Sequence, residues 1–140
     1  MKRPIPNDEE VFFDGKSLIS ETDTEGIITF VNRKFVEMSG YSKEEALGQP
    51  HSLLRHPDMP RRAFEEMWKI IQAGKIWEGY VKNLRKDGKF YWVIVNIIQK
   101  YDENHNIIGY TASRKVPNRD MIKKISMQYK EMINKEKASK

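Results

Sequence analysis

Six consecutive residues, Arg55-His56-Pro57-Asp58-Met59-Pro60, gather a guanidinium, an imidazole and a carboxylate, and two prolines restrict the backbone that carries them. Two readings fit this loop. Ahead of a helix it can fork Arg55 onto phosphate oxygens and offer Asp58 to a ribose or base. Alternatively an Arg–Asp pair only fixes the connection, with Asp58 near the start of the next helix, where negative charge is favourable. Large rings follow at Trp68, Trp77, Tyr91 and Trp92, and two amides, Asn83 and Asn96, interrupt otherwise apolar runs. An Asn inside a strand is disfavoured unless its amide has a partner. Alternation lets Trp77, Gly79, Val81 and Asn83 share one face, as it does Tyr91, Val93 and Val95 on the next run. Singly, each Trp reads as core and each Asn as solvent-facing. Jointly, a sheet face thinned by glycine, flanked by tryptophan and supplied with amides suits a flat heteroaromatic ligand.

Other chemistries find little support. The 140 residues contain no cysteine, which excludes a disulfide framework, a thiolate metal site and a cysteine nucleophile. His51, His56 and His105 lack metal-ligand spacing, and no Gly-rich phosphate loop, nucleophile elbow or paired-His helix motif occurs. The expectation is a non-enzyme. The net charge of +5 is local: residues 118–140 hold seven Lys/Arg against three Asp/Glu, leaving 18 against 17 elsewhere. A nucleic-acid groove would concentrate its charge on the folded body, so no nucleic-acid partner is expected. No apolar run approaches the roughly 18 residues of a membrane span, and Met1–Asp8 lacks the apolar stretch of a signal peptide. These features point to the cytoplasm.

The elements that must position these groups are legible. Residues 1–16 read as a flexible N-terminal arm with an apolar cluster at Val11-Phe12-Phe13. Ser17–Thr22 and Ile27–Val31 are β-branched and aromatic runs around a turn that opens with Asp23 and closes with Gly26. Asn32 is an N-cap for a helix over 33–39, closed by Gly40, and Ser42-Lys43-Glu44-Glu45 is a capping box. Pro60 starts a longer helix whose Phe64, Met67, Trp68 and Ile71 recur at helical spacing until Gly74. Runs over 77–86 and 89–101 join through Asp87-Gly88, and a further strand spans 107–116. Helices inserted between the second and third of five strands predict an α+β domain: an antiparallel sheet with helices packed on one face. Beyond Pro117, Ile122, Ile125, Tyr129 and Met132 form the stripe of an amphipathic helix over three turns, which needs a partner surface.

These elements carry a family resemblance. Asp23-x-x-Gly26-x-Ile28-x-x-x-Asn32-x-x-Phe35-x-x-x-Ser39-Gly40-Tyr41-x-x-x-Glu45-x-x-Gly48 resembles the first half of a PAS domain. The hairpin at Asp87-Gly88 and the closing strand with Gly109-Tyr110 resemble its second half, so the likeness covers residues 17–116 and leaves 117–140 as a C-terminal helix with a basic tail. Three further stretches are similar, nearly without gaps, to the FAD-binding PAS domains of bacterial aerotaxis and energy-taxis proteins. These are Gly48-Gln49-Pro50-His51; Leu54-Arg55-His56-Pro57-Asp58-Met59-Pro60 with Phe64-x-x-Met67-Trp68; and Trp77-x-Gly79-x-Val81-Lys82-Asn83 with Tyr91-Trp92-Val93.

The resemblance implies the PAS fold and FAD as cofactor. Arg55 and His56 would hold the pyrophosphate and adenosine end, Asp58 would hydrogen-bond there, and Trp68 would pack by the adenine. Trp77 would lie against the isoalloxazine, Asn83 and Asn96 would contact its polar edge, Asn32 would line the pocket, and Tyr91 belongs to the same set. The implied function is a redox sensor in aerotaxis or energy taxis. It would pass flavin state to a methyl-accepting chemoreceptor or its HAMP region, in trans or in the same gene product. The protein would be a homodimer in the cytoplasm, recruited to the inner membrane face by that receptor. The alternative is a PAS module for protein interaction or dimerisation that is cofactor-free or binds haem through His56. The reactive cysteine of light-sensing relatives is missing.

Overall fold

A computed structural model describes residues 3–138. Asp23 organises the first turn: its Oδ1 accepts from the N–H groups of Glu25 and Ile27, and Gly26 turns the chain at φ +84°. The flanking strands, β1 (Ile19–Thr22) and β2 (Ile28–Val31), pair antiparallel. Asn32 ties this hairpin to α1 (Arg33–Ser39). Its Oδ1 accepts from the backbone of Phe35 and Ile19, and its Nδ2 donates to the Ser17 carbonyl. Gly40 closes α1 at φ +78°, while Arg85 Nη1 donates to the carbonyls of Glu37 and Met38 that the helix end leaves free. The expected capping box opens α2 (Lys43–Ala46). One 3₁₀ turn, His51–Leu54, leads into the proline-bracketed loop, and α3 (Arg61–Gln72) follows.

The remaining strands are β3 (Trp77–Leu84), β4 (Phe90–Tyr101) and β5 (Ile107–Lys115), each ending within two residues of the expected run. All pairings are antiparallel, in the order β2-β1-β5-β4-β3. Trp77 faces Ile97, Gly79 faces Val95, Val81 faces Val93 and Asn83 faces Tyr91, so the face read from alternation is real. Phe35, Met38, Ala46, Leu53, Leu54 and Ile71 from the helical layer bury against Val31, Val81, Val93, Val95 and Ile97 of the sheet. The fold is the expected α+β arrangement with α1–α3 on one face.

The described parts of both terminal segments lie closer to the body than their composition predicts. The C-terminal stripe belongs to α4 (Arg119–Ala138), which is 20 residues long and finds its partner surface in the same chain. It crosses the other face of the sheet: the Tyr129 ring stacks on Trp92 at 6.4 Å and 17°, its hydroxyl donates to the Tyr80 carbonyl at 2.6 Å, and Ile122 is buried. Farther along, the Glu136 carboxylate accepts from the backbone N–H groups of Arg61 and Arg62, each at 3.1 Å. Pro60 provides no side-chain cap, so a residue from the far end of the chain caps α3. The described part of the N-terminal arm is also laid down. Glu10 adds a parallel bridge to Phe90 beyond the Lys115–Ile94 pair where β5 stops, Phe13 is buried, and Glu10 forms a bidentate ion pair with Arg119. Met1 and Lys2 of that arm, and Ser139 and Lys140 of the tail, lie outside the described residues.

Glu136→Ala is expected to lower unfolding free energy by about 0.5–2 kcal/mol, the usual value of a lost N-cap, in urea titrations. It should also speed hydrogen exchange at the Arg61 and Arg62 amides without changing the β-sheet signal.

Candidate functional site

A cavity of about 280 Å³ opens between the inner sheet face and the helical layer. Its sheet wall is Ser20 and Thr22 of β1, Trp77, Val81 and Asn83 of β3, Val95 and Ile97 of β4, and Tyr110, Ala112 and Arg114 of β5. Phe64, Met67, Trp68 and Ile71 of α3 form the opposite wall, with Pro50–Ser52 and Arg55 beside them. Two glycines make room for the rings. A Cβ on Gly79 would collide with the Trp77 indole, which folds back over the strand, and one on Gly26 would sit 2.9 Å from the Trp68 ring. Trp68 meets Tyr110 edge-on at 5.8 Å.

Away from the solvent-exposed Glu25, the polar groups of the cavity wall are cationic or neutral. Arg114, 6% exposed, donates Nη1 to Ser20 Oγ at 2.9 Å and to the Ala112 carbonyl at 3.0 Å, and Nη2 to His51 Nε2 at 3.0 Å. Ser20 Oγ is also 3.1 Å from His51 Nε2. Because a guanidinium only donates, His51 accepts at Nε2 and carries its proton on Nδ1. Burial, and then the Arg114 charge, push His51 from 6.5 down to about 3, so it is neutral. Burial lowers Arg114 to about 10, which leaves it charged. Its Nε is buried without a hydrogen-bond partner among the described residues, and all three of its acceptors are neutral. An unpaired buried charge costs several kcal/mol, which a ligand can offset. Arg55 is half-buried, its guanidinium 4.0 Å over the Phe64 ring, and its Nε is likewise unpartnered. Burial and then Arg3 lower its pKa. The Arg3 guanidinium donates to the carbonyls of Ser52, Leu53 and Arg55, and the backbone of Arg55 bridges antiparallel to Asn83.

Of the nine residues expected to hold a cofactor, the structure brings Arg55, Trp68, Trp77 and Asn83 to this cavity. The other five are not among its lining residues. His56 is buried, but its Nδ1 accepts from the Asp58 N–H at 3.0 Å and its ring meets Phe90 edge-on at 6.0 Å. Asp58 is exposed and takes Lys82 Nζ at 2.7 Å, so neither an Arg55–Asp58 pair nor a helix-capping carboxylate forms. Asn96 sits on β4 out of phase with Val95 and Ile97, which places it on the opposite sheet face. The Asn32 amide is committed to the N-cap and Ser17. Tyr91 is core. Burial raises its pKa, and its hydroxyl lies beside the Asn83 amide without hydrogen-bond geometry. His51, Ser20 and Arg114 were missed, although a signal existed: Tyr110, Ala112 and Arg114 alternate on one strand, placing an arginine in an apolar row.

The model of the PAS fold matches residues 28–114. The chain belongs to the PAS family. The Escherichia coli aerotaxis receptor is 46% identical over 101 residues, which are 72% of this chain and 20% of that protein. The nitrogen fixation regulatory protein of Klebsiella pneumoniae is 31% identical over 97 residues, 69% of this chain and 20% of that protein. The chain thus spans about one fifth of these relatives. A light-oxygen-voltage domain, solved to probe its mechanism with a flavin analogue, superposes with a TM-score of 0.68 at 23% identity, covering 91% of this chain and 90% of that one. Among the described residues of this PAS domain no helix is long and apolar enough to cross a membrane, and no cluster of His, Asp and Glu is arranged to hold a metal ion.

Two outcomes follow from the cavity's construction. Burial, and then Lys82, push His56 from 6.5 to about 4, as burial and Arg114 push His51 lower still. The unfolded chain then binds more protons than the fold, so stability should fall as pH drops from 6.5 towards 4. Urea midpoints at pH 7 and pH 5 test this, and His56→Gln should flatten the dependence. Gly79→Val should displace the Trp77 indole from its bed, changing Trp fluorescence and cavity binding while leaving far-ultraviolet circular dichroism intact.

Proposed function

We propose that this chain is a PAS redox sensor that binds FAD and reports its state in aerotaxis or energy taxis. The carrying observation is a tryptophan-flanked apolar cavity between a buried guanidinium, Arg114, and a half-buried one, Arg55, whose Nε atoms lack partners among the described residues. An apolar slot with a few placed polar groups suits a flat ring system, and the unpaired charges suit the pyrophosphate and the electron-rich ring edge of a flavin dinucleotide. The glycine beds under Trp68 and Trp77 leave both indoles free to flank such a ring. Flavin, when bound, would supply a ring that takes up electrons and a proton and so changes its hydrogen-bonding edge.

The chain's own residues would do the rest. Arg55 would hold the phosphate end, Trp68 the adenine side and Trp77 the ring. Asn83, 4% exposed and lining the cavity, offers both a donor and an acceptor, so reversing its amide would answer a change at the ring. Its backbone bridges Arg55, Arg55 lies on Phe64 of α3, and the start of α3 is capped by Glu136 of α4. A contiguous path thus runs from the cavity to the last helix. A coupling of about 1–3 kcal/mol along it suffices for signalling. His56 and Asp58 would act one layer out, holding the loop that presents Arg55.

The likeness to the aerotaxis receptor supports the taxis reading. The partner would be a methyl-accepting chemoreceptor or its HAMP region, met by a homodimer at the cytoplasmic side of the membrane. The role is signalling rather than turnover. A haem reading has less support, because its axial ligand would be His56, which packs against Phe90 outside the cavity.

Purified protein should show the two near-blue absorbance bands of oxidised flavin and release FAD on heating. Arg55→Ala and Trp77→Ala should each weaken retention at least about tenfold, near 1.4 kcal/mol, by equilibrium dialysis. A single Soret band, a colourless folded protein that takes up no added FAD, or unchanged retention in both variants overturns this reading.

A further inference from the structure

We infer that Arg114, with His51 and Ser20, forms an anion subsite at the β5 side of the cavity, which favours the reduced, negatively charged flavin ring over the oxidised, neutral one. The inference rests on the flavin reading above and extends it to Arg114, which none of the motifs behind the resemblance contains.

Arg114 is buried at 6% exposure, lines the cavity and has an unpartnered Nε. Its three acceptors, Ser20 Oγ, the Ala112 carbonyl and His51 Nε2, carry no negative charge. Among the described residues Glu25 is the one carboxylate lining the cavity, it is exposed to solvent, and no carboxylate acts on Arg114. Among the described residues the fold therefore gives this guanidinium, held in low dielectric, three neutral props and no counter-ion. Such an arrangement is preorganised for negative charge that appears after binding, because nothing has to be displaced to receive it.

A flavin ring supplies such charge. Two electrons from a soluble reductant and one proton from water convert the neutral oxidised ring into a hydroquinone with one negative charge on its pyrimidine portion. No bond to the protein forms, and no protein group loses a proton. His51 cannot substitute as the cation, since the neutral ring accepts from Arg114 and serves to orient it. Arg114 is thus a charge-compensating residue, and His51 and Ser20 are positioning residues.

The test uses the full chain, stripped of flavin and reloaded with FAD or with lumiflavin, which is the ring without ribityl chain or phosphate. Midpoint potentials come from dithionite titration against reference dyes, and affinities of the oxidised forms from fluorescence quenching. In Arg114→Gln the preference for reduced over oxidised ring should drop about tenfold, a fall near 30 mV for a two-electron couple, with both flavins. Arg114→Lys should keep most of the potential. Ser20→Asp, which sets a carboxylate beside an intact Arg114, should lower it as well and serves if Arg114→Gln does not fold. An unchanged potential in Arg114→Gln or Ser20→Asp overturns the inference while the flavin reading stands. A loss of FAD affinity in both redox states with lumiflavin unaffected also overturns it, since the guanidinium then holds a phosphate. If the parent chain binds neither flavin, the flavin reading has failed and this inference fails with it.

Discussion

The pleat of the sheet is the constraint on which everything else depends. Side chains alternate between faces, so the register Gly79–Val95, Val81–Val93 and Asn83–Tyr91 puts one set of residues inward along β3 and β4. The same alternation on β5 turns Tyr110, Ala112 and Arg114 inward, and on β1 Ser20 and Thr22. A slip of one residue would exchange both faces at once, sending Arg114 out and Asn96 in. The cavity is the part of that inner face which α3 does not fill, and glycine at 26 and 79 keeps it open by leaving space for indole rings.

The two faces serve different ends. The inner face combines apolar walls with polar groups at Asn83, Arg55 and Arg114. The part of the outer face around Tyr80 and Trp92 is covered by α4, whose Tyr129 stacks on Trp92 and whose Glu136 caps α3. One helix thus touches both the outer face of the sheet and the start of α3. The N-terminal arm joins the same assembly through the Glu10–Arg119 pair. Cohesion here is polar at the termini and apolar in the middle, and the exposed polar contacts are the weaker of the two.

The histidines illustrate how context divides like residues. His51 is an acceptor for a buried cation, and His56 is a loop brace whose Nδ1 holds the Asp58 N–H. His105 adopts a left-handed conformation at φ +63° in the turn before β5. None meets another histidine in a metal-binding cluster among the described residues, and only His51 lines the cavity.

Local chemistry made much of the fold legible. The Asp23 turn, the Asn32 cap, the Ser42/Glu45 box and the Asp87-Gly88 hairpin are short-range devices whose physics lies within a few residues, and each is found where its sequence puts it. Strand alternation likewise assigned Trp77 and Asn83 to the cavity face. Arg55 and Trp68 came with the motif. What the chain order could not convey is contact between segments far apart. Lys82 takes Asp58, Phe90 takes His56, Ser20 and His51 meet Arg114, and Glu136 reaches the start of α3. Each depends on strand order and on how the layers stack, which bring residues 24 to 94 positions apart into contact. Residue types and their local spacing therefore decided the elements and one wall of the cavity, while its cationic end and its link to the last helix exist only once β1, β5 and α3 are packed together.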